Sequence, residues 1–207
     1  FVEDLCVCVL EGFGGYATTT LAQMFPDDKE RGPVPHWVDE GAGHQERQYL
    51  ERGRTYPFLL VSNHPRWRVH ANLDDVTWFR EMEEYVKVTG PDGYKYEPVW
   101  VNPVDAGKLG LSTGDIVKLY NERGAVMGGV RVTERIMPGV VKLDEATWVD
   151  VDEETGIDKA GSANYLVGDI KTGSGIQAWN SCNVRVEKWD GEPLAPDCEW
   201  PLRVVEA

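Results

Sequence analysis

The stretch 61-VSNHPRWRVHANLDD-75 crowds two histidines, two arginines, one tryptophan and two asparagines into fifteen residues. Such a set donates hydrogen bonds densely, and its planar guanidinium forks pair well with phosphate or ring oxygens. The chemistry it suits is the holding of a large, polar, anion-bearing ligand. In a strand Arg66 and Arg68 would share one face, because side chains at i and i+2 lie together. The competing reading is that the arginines solvate a rim or pair with Asp74 and Asp75. Elsewhere, Cys6-Val-Cys8 is the one close cysteine pair, and its spacing is not that of a zinc knuckle or a redox Cys-x-x-Cys. The four cysteines form no compact iron–sulfur pattern and read as ordinary reduced thiols.

The 207-residue chain carries a formal net charge of −14, which repels nucleic acid and anionic membranes. A polyanion would therefore have to meet a local cluster of donors, and residues 61–75 are the densest one. Hydrophobic content of 42% with eight tryptophans supports a packed core. No apolar run approaches the ~20 residues of a membrane-crossing helix. The start at Phe1 suggests a processed chain or a piece of a longer one.

The elements that must position these residues are legible from residue 56 onward. Short runs rich in Val, Ile, Tyr and Trp predict strands over 57–62, 97–102, 115–121, 124–133, 138–144 and 183–189. Helices are predicted over 18–25, 74–86 and 103–110, the last with Asn102 as cap, Pro103 at its first position and Gly110 as its stop. Glu122-Arg123-Gly124 closes a hairpin, and Gly128-Gly129 marks a bulge or a close backbone approach. Many evenly spaced short strands point to a mainly β, closed or nearly closed barrel over 56–207, preceded by an irregular connecting segment over 1–55.

Four stretches then fall into order: 61-VSNHPRWRVHANL-73, 101-VNPVDAGKLGLSTGDIVKLYNERG-124, 160-AGSANYLVGD-169 and 174-SGIQAWNSCNVRVEKW-189. Together they resemble the C-terminal molybdopterin-dinucleotide-binding domain of the dimethyl sulfoxide reductase family. The phrases HPRWRVHANLDD and LYNERGAVMGGVRVTERIMPGVV lean towards its branch with dimethyl sulfoxide reductases and pyrogallol–phloroglucinol transhydroxylase-like enzymes. The segment 11-EGFGGYATTT-20 departs from the family pattern.

The resemblance implies a double-psi β-barrel with short helices in its connections. It also implies a bis-(molybdopterin guanine dinucleotide) cofactor holding molybdenum or tungsten, bound jointly with other domains. The expected cofactor-binding residues are Ser62, Asn63, His64, Arg66, Arg68, His70, Asn102, Asp105, Asn164, Gln177, Asn180 and Ser181. Asn102 and Asp105 have an alternative in helix capping and first-turn charge, and Gln177, Asn180 and Ser181 one in turn formation. No catalytic residue and no metal ligand is assigned, because in this family such ligands come from domains N-terminal to this one. The expected partners are those domains of the catalytic subunit and an iron–sulfur electron-transfer subunit, with no nucleic acid. In isolation the chain is expected to be inactive and can come free of cofactor. The transhydroxylase-like branch would imply an aromatic hydroxyl substrate. Two alternatives stand beside this reading: a separate small cofactor-binding subunit, and a non-enzymatic double-psi barrel that binds protein or peptide.

Overall fold

The computed structural model describes residue 24 and residues 49–74, 76, 78, 87–91, 94–168, 182–192 and 194. The helices expected over 18–25 and 74–86 lie largely outside them, as do Cys6, Cys8, Cys198, Gln177, Asn180 and Ser181. The described strands all belong to one compact unit, Glu51–Val167 with Asn180–Ala207.

Apolar β-branched runs bounded by turn residues set the strands. In chain order they are β1 (Phe58–Val61), β2 (Val88–Thr89), β3 (Lys95–Tyr96), β4 (Pro98–Val101), β5 (Ile116–Tyr120), β6 (Ala125–Val132), β7 (Val140–Leu143), β8 (Ile157–Asp158) and β9 (Cys182–Lys188). The helices are α1 (Tyr49–Thr55) and α2 (Pro103–Leu109), with a 3-10 turn at Ala163–Tyr165. Each of the six expected strands forms within two residues of its expected ends. The two-residue strands β2, β3 and β8 and the helix α1 carry too little periodicity to be read in advance.

The sheet order is β4-β7-β1-β9-β5-β6, and β4 pairs again with β6, so six strands close on themselves. Two of the pairings, β1 with β7 and β4 with β6, are parallel, and β8 adds a further parallel pair to β6. Parallel neighbours require crossover connections, here the long excursions out of β1 and β4. This is the double-psi β-barrel. Its interior holds Leu60, Val99, Val101, Val117, Leu119, Val126, Val130, Val141, Leu143 and Val184, each at most 1% exposed. Full burial of one such side chain contributes roughly 1.5–3 kcal/mol.

Gly128 and Gly129 of β6 mark a close approach: a Cβ on Gly128 would collide with Val99, and one on Gly129 would stand 2.7 Å from Val88 Cβ. The missing side chains let β4 and the β2–β3 ribbon settle against β6.

The α2 helix shows its sequence signals in full. Asn102 Oδ1 accepts from the Val104 N–H at 2.9 Å, Pro103 takes the first helical position, and Gly110 stops the helix at φ 65°. Asn102→Ala is expected to lower stability by about 0.5–2 kcal/mol, the usual cost of a lost cap, as read by urea denaturation.

Candidate functional site

Strand directions decide which expected residues can meet. β1 and β7 run parallel, so the loops that leave them, 62–74 and 144–148, emerge at one end of the barrel. β9 starts at that end opposite Leu60, and the β5–β6 hairpin turns there, beside Tyr165 of the 3-10 turn. Ser62, Asn63, His64, Arg66, Arg68, His70 and Asn164 therefore gather at one end. Asn102 and Asp105 follow the far end of β4, which runs antiparallel to β7, and so lie at the opposite end.

Both of those side chains have partners within the barrel. Asn102 Nδ2 donates to Ile136 O at 2.7 Å, while the Asp105 carboxylate accepts from the Gly139 N–H at 2.6 Å and from Lys108 Nζ at 3.1 Å. They tie α2 to the start of β7, so the capping alternative is present in the structure.

In the donor-rich loop the two arginines part company. Arg66 is exposed and without a partner among the described residues, whereas Arg68 is buried. Residues 62–68 leave the strand geometry after Val61, and His70 and Leu73 adopt positive φ of 50° and 72°. The shared face that a strand would have given Arg66 and Arg68 is therefore not formed. Arg68 Nη1 donates to Glu97 Oε1 at 2.8 Å and to Asp74 Oδ1 at 3.2 Å, and Nη2 donates to the Glu145 carbonyl at 2.8 Å. Lys87 Nζ donates to the same Glu97 oxygen.

Burial alone would raise the Glu97 carboxyl, but the Lys87 and Arg68 charges and their hydrogen bonds outweigh it and hold it below the usual carboxylate range. Asp144, on the loop beside this network, is pushed the other way by burial despite Lys142 at 2.7 Å. The loop thus stands on a buried frame of two cations and two acids.

Above that frame the imidazoles are presented to solvent. The side chains of His64 and His70 are 64% and 67% exposed, and their ring centroids lie 4.6 Å apart with the planes at 75°. Both Nδ1 atoms stand against Glu145 Oε1, at 2.7 and 3.1 Å. Asn63 Nδ2 donates to the His64 carbonyl.

At the end of β8, Asp158 is fully buried and accepts from the N–H groups of Asp150, Ala160 and Ser162. Those bonds shape 160-AGSA-163 and set out Asn164, which is exposed. Cys182 opens β9 at this end. Burial pushes its thiol up to about 11, so it stays protonated and donates to Leu166 O at 3.3 Å. It packs as a buried, free thiol at the start of β9.

Sequence reasoning missed Glu97, Lys87 and Glu145. The only local hint is an acid and a lysine heading otherwise apolar segments, 97-EPVWV-101 and 87-KV-88. Neither points to the loop that it supports.

A closed six-strand barrel, with one end carrying exposed imidazole, guanidinium and amide donors over a buried ionic frame, suits a polar anionic ligand. Comparison with known families decides the class: residues 58–183 match the model described as "Molydopterin dinucleotide binding domain" (molybdopterin, in the usual spelling). The chain belongs to this family. It is a molybdopterin dinucleotide-binding domain of the dimethyl sulfoxide reductase type.

The domain is 35% identical over 178 residues to "Trimethylamine-N-oxide reductase 1" of Escherichia coli strain K12, covering 83% of this chain and 19% of that protein. It is 32% identical over 149 residues to "Dimethyl sulfoxide/trimethylamine N-oxide reductase" of Cereibacter sphaeroides, covering 69% of this chain and 17% of that protein. The chain thus spans about a fifth of the length of these relatives. Among solved structures, acetylene hydratase from Pelobacter acetylenicus shares the fold, with a TM-score of 0.52 at 14% identity over 76% of this chain and 21% of that one. Among the described residues no helix is long and apolar enough to cross a membrane.

Proposed function

We propose that this domain, in the protein that contains it, binds molybdopterin guanine dinucleotide carrying molybdenum or tungsten and positions it for oxygen-atom or hydroxyl transfer. The observation that carries the reading is the gathering of exposed donors His64, Arg66, His70 and Asn164 at one barrel end, above the buried Arg68–Glu97–Asp74 frame. These residues fit the group chemically. An acidic chain offers an anion-bearing, heteroatom-rich ligand its donors at this end, and the frame below lets Arg68 stiffen the loop without its own fork reaching out.

Arg66 supplies a guanidinium fork suited to phosphate or ring oxygens. His64 and His70 present ring nitrogens, and Ser62, Asn63 and Asn164 add short hydrogen bonds. Gln177, Asn180 and Ser181, which precede β9, belong to the proposed set by family resemblance. Asn102 and Asp105 enter it on the same ground, at the far end and beside their capping roles. When bound, the metal of the cofactor supplies the oxygen-atom chemistry, and the residues of this chain hold and orient.

The barrel domain is taken as residues 56–207, with 1–55 leading into it. Its partners are the remaining domains of a catalytic subunit and an iron–sulfur electron-transfer subunit. The names of the relatives favour a small N-oxide or sulfoxide substrate over an aromatic hydroxyl compound.

The test is mass spectrometry of denatured, natively purified full-length protein, with elemental analysis for molybdenum and tungsten. Released pterin guanine dinucleotide together with either metal is expected; finding neither sinks the reading. In the same preparation Arg66→Ala is expected to lower the bound dinucleotide about tenfold, since a charge-assisted hydrogen bond contributes about 1.5–3 kcal/mol. Unchanged retention would remove Arg66 from the site.

A further inference from the structure

We propose that Glu145 is the positioning residue of the imidazole pair, its carboxylate fixing the orientation in which His64 and His70 meet the cofactor. The proposal rests on the reading above that these two imidazoles are cofactor donors.

Glu145 lies far from them in sequence, yet it is tied to their loop through backbone and side chain alike. Its N–H donates to Asn63 O at 3.2 Å, and its carbonyl accepts from Arg68 Nη2 at 2.8 Å. Three residues further the strap is pinned again: the Trp148 N–H donates to Asp74 Oδ2 at 3.0 Å, and Trp148 Nε1 donates to Ala71 O at 2.8 Å. Loops 62–74 and 144–148 are therefore cross-tied at four points, and the Glu145 backbone has little freedom to drift.

Within this brace, Glu145 Oε1 is buried, and both imidazole Nδ1 atoms lie within ion-pair distance of it, at 2.7 and 3.1 Å, without the alignment of a full hydrogen bond. One ring nitrogen from each histidine and one Glu145 carboxylate oxygen all lie within 4.8 Å of one another. A carboxylate facing Nδ1 favours the proton on that nitrogen and leaves Nε2 to address a ligand, the way outer carboxylates orient ligating histidines. One carboxylate oxygen close to both Nδ1 atoms also limits the rings relative to each other by its charge. Two imidazoles this exposed would otherwise sample several rotamers, at an entropic cost on binding.

Backbone strain marks the same corner. Among the described residues the non-glycine positions with positive φ are His70 at 50°, Leu73 at 72° and Ala146 at 69°. Two belong to the donor loop, and the third directly follows Glu145. Such conformations persist where surrounding contacts over-determine them, and they cluster at binding sites. Here they turn His70 back towards His64 and turn the strap so that the Glu145 side chain reaches both.

The test compares Glu145→Gln, Glu145→Asp and the double variant His64→Ala/His70→Ala in the full-length protein. Three quantities are read: pterin dinucleotide retained per polypeptide, the half-lives of imidazole C2-hydrogen exchange at His64 and His70 by mass spectrometry, and Tm. Glu145→Gln is expected to alter both exchange half-lives and to lower retained dinucleotide roughly tenfold, the usual scale for an outer orienting residue, with Tm near wild type. Glu145→Asp restores part of the retention.

Wild-type exchange and retention in Glu145→Gln, with dinucleotide lost from the histidine double variant, would refute positioning while the donor reading stands. A Glu145→Gln protein that loses dinucleotide and Tm together, with both exchange half-lives unmoved, would show a merely structural role and overturn the proposal. Full retention in the double variant would defeat the donor reading and the proposal with it.

Discussion

Glu97→Ala is expected to destabilise the chain by about 3–5 kcal/mol, the range found when one partner of a buried ion pair is removed. The Glu97 side chain is 1% exposed and accepts from Arg68 and Lys87, whose side chains are 3% and 2% exposed. Truncation takes from both cations the carboxylate that they share and leaves their desolvation in place. The loss should be read by urea denaturation.

Its pH dependence follows from the lowered carboxyl. A depressed folded value means that the stabilisation is fully present above the ordinary 4.5 and is lost as the pH falls through the folded value. The gap between wild type and Glu97→Gln should therefore stay constant down to the ordinary range and narrow only below it. A gap that already closes near neutrality would mean that Glu97 is not ionised in the network. Asp158, raised by burial, acts in the opposite sense in both proteins and cancels in the comparison, whereas Asp144 owes part of its rise to the Glu97 charge and is eased in Glu97→Gln.

The second large effect is expected at Gly161. Its φ is +80°, and a Cβ there would stand 2.8 Å from the Met127 carbonyl oxygen and 3.0 Å from Glu97 Cβ. Gly161→Ala therefore combines left-handed strain of about 1–2 kcal/mol with overpacking of about 1–3 kcal/mol. Gly110 supplies the control, since it has φ +65° with nothing within 4 Å of its Cβ position. Gly110→Ala should show only the strain, about 1–2 kcal/mol, in the same denaturation series. Equal losses at the two positions would mean that the loop bearing Asn164 yields and that the approach to Met127 and Glu97 is not tight.

The small residues of 160-AGSA-163 illustrate how far a sequence reading reaches. In sequence they suggest room for a ligand. In the structure Gly161 is small because the Met127 backbone and the Glu97 side chain occupy that room. A missing side chain announces a close approach without naming what approaches.

The barrel strands were legible because their causes are local. β-branched runs, proline and glycine punctuation, and the Asn102-Pro103 cap with its Gly110 stop act over a few residues and are written there. The donor-rich loop was legible as composition, histidines and arginines crowded into an acidic chain; its role in holding the cofactor is the proposal made above.

What only the tertiary structure decided is direction and partnership. Alternation assigns faces only while a strand lasts, and after Val61 the chain leaves the strand, so Arg66 stays outside while Arg68 turns into the protein. The parallel pairing of β1 with β7 brings Glu145 beside His64 and His70 from across the sequence. The antiparallel run of β4 sends Asn102 and Asp105 to the other end. Those outcomes depend on strand order and closure. Long-range contacts set both, and no short window of sequence contains them.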